Sequence, residues 1–113
     1  MREIKFRAWD GFAQGWDYCK LEDLVVPVIF SGAYFQHKNW CQYTGLQDKN
    51  GKEIYEEDIV EWTTYNSKHK NKGLIKWDTG SAGFVIENPS MINVYFHQVI
   101  VVGNIYENPD LVK

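Results

Sequence analysis

Short apolar segments separated by turn-forming residues constrain the fold more than any other feature of this chain. In the second half, the segments DIVEWTTY, GLIKWDTG, GFVIEN and VYFHQVIVVGNIYEN follow one another with few residues between them. No long stretch keeps the period of an amphipathic helix, whereas short strands at this spacing are typical of an antiparallel meander. We predict a mainly β fold of the β-rich α+β kind, with a small curved sheet and a small barrel in the second half.

The N-terminal segment REIKFRAWD alternates between apolar and charged side chains. Ile4, Phe6 and Ala8 share one side and charged residues occupy the other, which is the pattern of a half-buried strand. The following GFAQGW places two glycines among aromatic residues and predicts a turn or hairpin. In residues 17–30, DYCKLEDL fits a short helical turn, whereas the valines after it favour a strand.

A sequence with strong turn chemistry lies near the middle of the chain, at residues 48–52. Asn50 and Gly51 accept a positive φ at little cost, and the Asp48 carboxylate can accept hydrogen bonds from backbone amides two residues on. The acidic residues that follow, including Glu57 and Asp58, link this turn to the next strand. We interpret the turn and link formed by Asp48, Asn50, Gly51, Glu57 and Asp58 as the structural hinge of the sheet.

The C-terminal GNIYENPDL has two readings. As a structural clasp, its Ile105 and Tyr106 pack back on the barrel and Asn108-Pro109 ends regular pairing. As a docking tail for a partner, it would need Tyr106 and Leu111 exposed. We favour the clasp.

Composition and charge narrow the classes of protein. The 113 residues fit one domain, and a net charge of −3 with a pI near 5.5 gives no general attraction to double-stranded nucleic acid. Two cysteines are too few for a disulfide scaffold, and the N-terminus lacks the apolar core of a signal peptide. The longest apolar stretch is too short to span a bilayer. We therefore expect a cytoplasmic protein with reduced thiols and no membrane partner.

Candidate chemistry is sparse. The acidic residues Glu57 and Asp58 and their neighbours could bind a metal ion, but no phosphate-binding element accompanies them. His37 and Cys41 lack the close ligand pairs of a structural zinc site, and neither cysteine lies in a nucleophile motif. We predict no catalytic, cofactor-binding or metal-binding residue, and we keep a metal-assisted hydrolase on the acidic turn as the second alternative.

Aromatic residues make up 16% of the chain and include five tryptophans. They can fill the core, form a subunit interface where Trp and Tyr are enriched, or stack unpaired bases with help from a basic stretch. The basic stretch, residues 68–72, lies between two apolar segments, and this position predicts a solvated loop. The candidate interaction surface comprises Trp62, Tyr65, Lys68, Lys70, Lys72 and Trp77.

Three blocks of sequence resemble one known family. They are REIKFRAWD, QYTGLQDKNGKEIYEEDIV and VVGNIYENPDLV, and they occur in this order from one end of the chain to the other. The chain thereby resembles the YopX family of phage and prophage proteins. The resemblance implies a single YopX-like domain over residues 1–113, with N-terminal strands and a connector at 1–41 and an SH3-like β barrel part at 42–113. It implies no biochemical activity.

The resemblance also marks one departure. Members of the family usually carry glycine where this chain has Glu57, in a Tyr-Glu-Gly-Asp-Ile-Val run. Either the turn needs a positive φ there and Glu57 carries a strain on the order of 1 kcal/mol, or the turn has a different shape in this chain.

Taken together, these features predict a non-enzymatic accessory or regulatory factor of phage or prophage origin in the bacterial cytoplasm. It would self-associate as a homo-oligomer and contact a phage or host protein. The first alternative is single-stranded nucleic-acid binding by aromatic stacking, which the acidic balance weakens.

Overall fold

The strands of the protein form two antiparallel sheets. The computed structural model describes residues 3–20, 40–63, 70–88 and 94–112. The strands in these ranges are β1 (Lys5–Asp10), β2 (Gly15–Lys20), β3 (Trp40–Gln47), β4 (Glu53–Tyr55), β5 (Asp58–Thr63), β6 (Lys70–Asp78), β7 (Gly83–Glu87) and β8 (Ile100–Asn104). Short 3₁₀ helices follow at Phe96–Gln98 and Pro109–Val112. The mainly β prediction is confirmed, and the closed SH3-like barrel stays a prediction.

The first sheet has the strand order β2-β1-β3-β4. β1 and β2 form a hairpin that pairs from Lys5 opposite Lys20 to Asp10 opposite Gly15. The predicted N-terminal strand and the turn after it are therefore confirmed. β3 begins at Trp40 and pairs with β1, so the boundary predicted between residues 41 and 42 falls inside a strand. The chain passes to the second sheet at Glu56-Glu57 instead.

The second sheet has the strand order β7-β6-β5-β8. β5, β6 and β7 form the meander predicted from the spacing of the apolar segments, whereas β8 pairs with β5 and not with β7, so the predicted last step of the meander was wrong. A second detail differs, because β6 begins at Lys70 rather than after the basic stretch. Lys70 pairs with Thr63 and Lys72 pairs with Glu61, so both lysines belong to a strand and not to a loop. Tyr65 and Lys68 lie outside the described residues.

The main core lies on one face of the second sheet. Its buried members are Ile54, Val60, Trp62, Ile75 and Val99. Partly buried Phe84, Ile86, Val94, Phe96 and Val101 pack against them. Side chains two residues apart on a strand share a face, so Val60 and Trp62 both point into this core. No helix within the described part of the chain is long and apolar enough to cross a membrane.

The turn at residues 48–52 connects the two sheets through a buried carboxylate. Asp48 Oδ1 accepts the predicted hydrogen bond from the backbone N–H of Asn50 at 2.8 Å, and a further one from that of Lys52 at 2.9 Å. Its Oδ2 accepts from the N–H of Val101 in β8 at 2.9 Å. Burial opposes ionisation, but these three donors outweigh it and lower the pKa of Asp48. The N–H of Lys49 also donates to the Val99 carbonyl at 2.9 Å.

The C-terminal segment folds back as the predicted clasp. Asn104 Oδ1 accepts from the backbone N–H groups of Tyr106 at 3.0 Å and Glu107 at 2.9 Å. The N–H of Asn108 donates to the Asn104 carbonyl at 2.9 Å. A Cβ on Gly103 would meet the Asn108 side chain at 2.4 Å, so a larger residue here would displace Asn108 from the clasp. Tyr106 and Leu111 are only partly exposed, which the docking-tail reading did not expect.

Replacing Gly51 with valine should lower the free energy of unfolding by about 1 kcal/mol or more. Gly51 has φ +84° and an added Cβ would meet nothing within 4 Å, so the cost comes from the backbone alone. Gly80→Val is the matched control, because Gly80 also lies in a turn and an added Cβ there would make only ordinary van der Waals contacts. Urea denaturation of both variants measures the difference, and equal stabilities would contradict this account of the turn.

Candidate interaction surface

The two tryptophans of the predicted surface have different environments. Trp62 is only 6% exposed and belongs to the core. Its inclusion in an interaction surface was therefore wrong, because its position on β5 shares a face with Val60. Trp77 is 47% exposed at the end of β6 and remains available for contacts.

The predicted lysines do not join Trp77 on one surface. Lys70 and Lys72 lie at odd spacings from Trp77 along β6, and the pairing of β6 with both neighbours is regular. Side chains at odd spacings point to opposite faces of a strand, and at about 3.3 Å per residue the two lysines lie roughly 17 to 23 Å from Trp77. Among the described residues, the structure thus separates the basic side chains from the exposed indole.

Three acidic residues in and after the turn, Glu57, Asp58 and Glu61, each face a cation. Glu57 Oε1 lies 2.9 Å from Lys76 Nζ, and Glu61 Oε1 lies 3.5 Å from Lys70 Nζ. Asp58 pairs with Arg7, as described below. No group of three or more metal-binding side chains occurs within the ranges that the structure describes. Charge pairing accounts for these carboxylates, and the geometry lends no support to a metal-assisted hydrolase.

Cys41 is buried beside Tyr106 and unsuited to nucleophilic chemistry. The thiol lies 3.9 Å from the Tyr106 hydroxyl, and only 1% of the residue is exposed. Burial raises the pKa of the Cys41 thiol to about 11. Since the thiolate is the reactive form of cysteine, almost none of this thiol is nucleophilic near neutral pH.

A buried ion pair joins the two sheets. Arg7 of β1 contacts Asp58 of β5 at 2.5 Å, and the second carboxylate oxygen of Asp58 accepts from the Tyr55 N–H at 2.8 Å. The guanidinium carbon lies 4.0 Å from the centre of the Trp16 ring and 4.2 Å from that of Tyr55. Burial raises the pKa of Asp58 to about 6, although the positive charge of Arg7 acts to lower it.

The alternation of β1 predicted that Arg7 would face solvent with the other charges, and this was wrong. Arg7 is 8% exposed because two aromatic rings cover its guanidinium and Asp58 neutralises it. Its partner lies 51 residues away in the sequence, so no local pattern could reveal the pair.

Removing one partner of the Arg7–Asp58 pair should destabilise the fold by about 3 to 5 kcal/mol, because a buried charge is left without compensation. Arg7→Met and Asp58→Asn test each side, and the double variant completes the cycle. We expect the double variant to lose less than the sum of the single losses, by more than about 1 kcal/mol. Chemical denaturation measures all four proteins, and strict additivity would show that the two charges do not interact.

Glu57 adopts the left-handed backbone conformation that the resemblance anticipated for this position. Its φ is +72°, in a turn where its N–H donates to the Ile75 carbonyl at 2.8 Å. Its own carbonyl accepts from the N–H of Ile105 at 3.3 Å. These two bonds fix the turn between β6 and the C-terminal segment, so the strained conformation is maintained by its surroundings.

Glu57→Gly should be more stable than Glu57→Ala by about 1 kcal/mol. Both substitutions remove the ion pair with Lys76, so their difference isolates the backbone strain. Thermal and urea unfolding of the two variants provide the measurement. A Glu57→Ala protein as stable as Glu57→Gly would mean that this turn changes shape when the side chain is lost.

The two main hairpins share one local design that was not recognised in the sequence. WDGFAQGW at residues 9–16 and WDTGSAGF at 77–84 both read Trp-Asp, four residues, Gly and an aromatic residue. Each Asp accepts hydrogen bonds from its own loop, and the residue before each closing Gly has a positive φ, +56° at Gln14 and +52° at Ala82. The cross-strand aromatic rings lie 5.2 Å apart, edge to face, in both hairpins.

The two hairpins differ in what covers their aromatic pair. In the first hairpin, the Trp16 ring contacts Tyr106 at 5.9 Å and its indole N–H donates to Glu107 Oε1 at 2.8 Å. The C-terminal clasp thus covers this pair. In the second hairpin, Trp77 contacts Phe84 and is still nearly half exposed. The same aromatic arrangement is therefore packed in one hairpin and open in the other.

Comparison with known proteins agrees with the resemblance. The model of the family described as YopX protein matches residues 28–113. The chain belongs to the YopX family. No curated protein matches this YopX chain.

Among solved structures, this YopX protein resembles the crystal structure of protein EF1440 from Enterococcus faecalis. The similarity has a TM-score of 0.61 at 22% identity and covers 97% of this chain and 98% of that one. At this level of identity the likeness shows a shared fold and carries no activity with it.

Proposed function

We propose that this YopX protein is a non-enzymatic, self-associating contact domain that acts as an accessory or regulatory factor. Its family membership supports a phage or prophage origin, and the proposed place of action is the cytoplasm of a bacterial host. The observation that carries the contact role is Trp77, which packs against the partly buried Phe84 at the end of the second sheet and is still 47% exposed.

Trp77, supported by Phe84, has the features of a residue that anchors a protein interface. Tryptophan is enriched among the residues that dominate binding energy, and a ring that is already held in place loses little freedom on binding. Phe84 supports one edge of the indole, and the turn beneath both is fixed by Asp78, which accepts from the Ser81 N–H at 3.1 Å and its hydroxyl at 2.6 Å. Trp77 is thus a preorganised apolar group that a second protein surface can cover.

The alternatives have less support. Base stacking along a single strand would require cations beside the exposed ring, and Lys70 and Lys72 lie on the other face of β6. A hydrolase on the acidic turn would require free carboxylates, and those of Glu57, Asp58 and Glu61 face cations. Neither alternative has an observation of its own in its favour.

Trp77→Ala should reduce self-association at a given protein concentration. Light scattering over a wide concentration range measures the mass of the wild-type protein and of the variant. Tyr18→Ala is the matched control, because Tyr18 is a 59% exposed aromatic residue in the first sheet. We expect the wild-type and control masses to rise with concentration, and the Trp77→Ala mass to stay nearer that of the monomer.

Two outcomes of the same experiment would count against the proposal. A wild-type protein that remains monomeric at every concentration would overturn self-association. A mass that increases only when a single-stranded oligonucleotide is added, and less so as salt is raised, would favour nucleic-acid binding instead.

A further inference from the structure

β7 is an edge strand whose sequence carries little protection against pairing. Within the described part of the second sheet, β7 has β6 as its single neighbour. The outer edge of such a strand presents unpaired N–H and C=O groups, which proteins usually guard with proline, lysine or a bulge. The sequence GFVIE has none of these residues, and its pairing with β6 runs without a register shift.

The opposite edge of the same sheet is closed. The Val101 N–H of β8 donates to Asp48, and the Val99 carbonyl just before β8 accepts from Lys49. The hinge turn therefore occupies backbone groups that another strand would need. This contrast directs pairing with a further strand to β7.

The side chains of β7 are self-complementary about Val85. If two copies pair antiparallel with Val85 opposite Val85, Phe84 of each copy lies opposite Ile86 of the other. Within one copy Phe84 is already opposite Trp77, and Ile86 is opposite Ile75. Continuous apolar rows would then cross both copies on the core face, and the two Glu87 carboxylates would lie at opposite ends of the paired strands, roughly 14 Å apart.

We propose that two copies of this protein associate through antiparallel pairing of their β7 strands about a twofold axis centred on Val85. This inference rests on the proposed self-association and specifies its geometry. On one face Phe84 of each copy lies opposite Ile86 of the other, and Trp77 packs behind Phe84 on β6; most homo-oligomers use such twofold interfaces. A pair of five-residue strands is a small contact, so the association is weak and reversible.

Cysteine cross-linking tests the geometry directly. Directly opposed residues of antiparallel strands have Cβ atoms about 4.5 to 5.5 Å apart, close to the span of a disulfide. Val85→Cys should therefore form a reducible dimer under mild oxidation. Val102→Cys on β8 is the matched control, since Val102 is a 38% exposed valine near the closed edge. Both native cysteines are buried, so the wild-type protein should not cross-link.

A charge at the twofold axis provides a second variant. Val85→Lys would place two like charges opposite each other, which destabilises a strand pair. We expect the apparent dissociation constant to rise by about tenfold or more, while Val102→Lys leaves it near the wild-type value. Circular dichroism and thermal unfolding check that both lysine variants fold.

The outcomes separate this inference from the proposed function. Cross-linking at position 85, together with weaker association of Val85→Lys, supports β7 pairing. If Trp77→Ala weakens association but position 85 neither cross-links nor responds to lysine, β7 pairing is overturned while self-association stands. A wild-type protein that stays monomeric, with no cross-link at position 85, overturns both.

Discussion

The contact between Arg7 and Asp58 is the interaction on which the arrangement of the two sheets depends. Arg7 lies in the first sheet and Asp58 begins the second, so the pair determines how one sheet meets the other. A buried pair of this kind contributes less net stability than its distance suggests, because both charges lose their hydration. Its stronger effect is on specificity, since any other packing of the sheets would leave two charges buried and unpaired.

Aromatic residues make this burial tolerable. The guanidinium of Arg7 lies over the rings of both Trp16 and Tyr55, and Tyr106 of the C-terminal clasp packs against Trp16 in turn. Arginine is suited to this environment because its planar group is weakly hydrated and stacks on rings. Part of the high aromatic content of the chain is thus explained by enclosing one cation. Among the other described aromatic residues, Trp62 lies in the core, whereas Phe12, Tyr18, Trp77 and Tyr95 are exposed.

Local chemistry made much of the fold predictable. The Asp48 turn and the succession of β5, β6 and β7 depend on neighbours in sequence, and both were predicted, whereas the pairing of β8 with β5 was not. The family resemblance raised a positive φ at Glu57 as one of two possibilities, and the structure has it. Arg7 could not be placed, because its burial depends on a carboxylate in the other sheet. The burial of Trp62 was predictable from the sequence, because Trp62 lies two residues after Val60 on β5 and therefore points to the same face.

The candidate surface was less predictable than the fold. Exposure of Trp77 depends on where the second sheet ends, and the separation of Lys70 and Lys72 from it depends on strand pairing that began earlier than the sequence indicated. The repeated Trp-Asp hairpin can be read from the sequence. The sequence does not reveal that the C-terminal clasp packs on the first copy, at Trp16, and leaves Trp77 of the second copy exposed.

The Asp48 turn has a consequence beyond stability. A sheet with two available edges can add copies at both sides and grow without limit, as fibres do. Here the Asp48 carboxylate binds the Val101 N–H and the Lys49 N–H binds the Val99 carbonyl on the β8 side, which leaves one side for growth. Assembly through the remaining side ends at two copies, so the turn that hinges the fold also makes any such assembly finite.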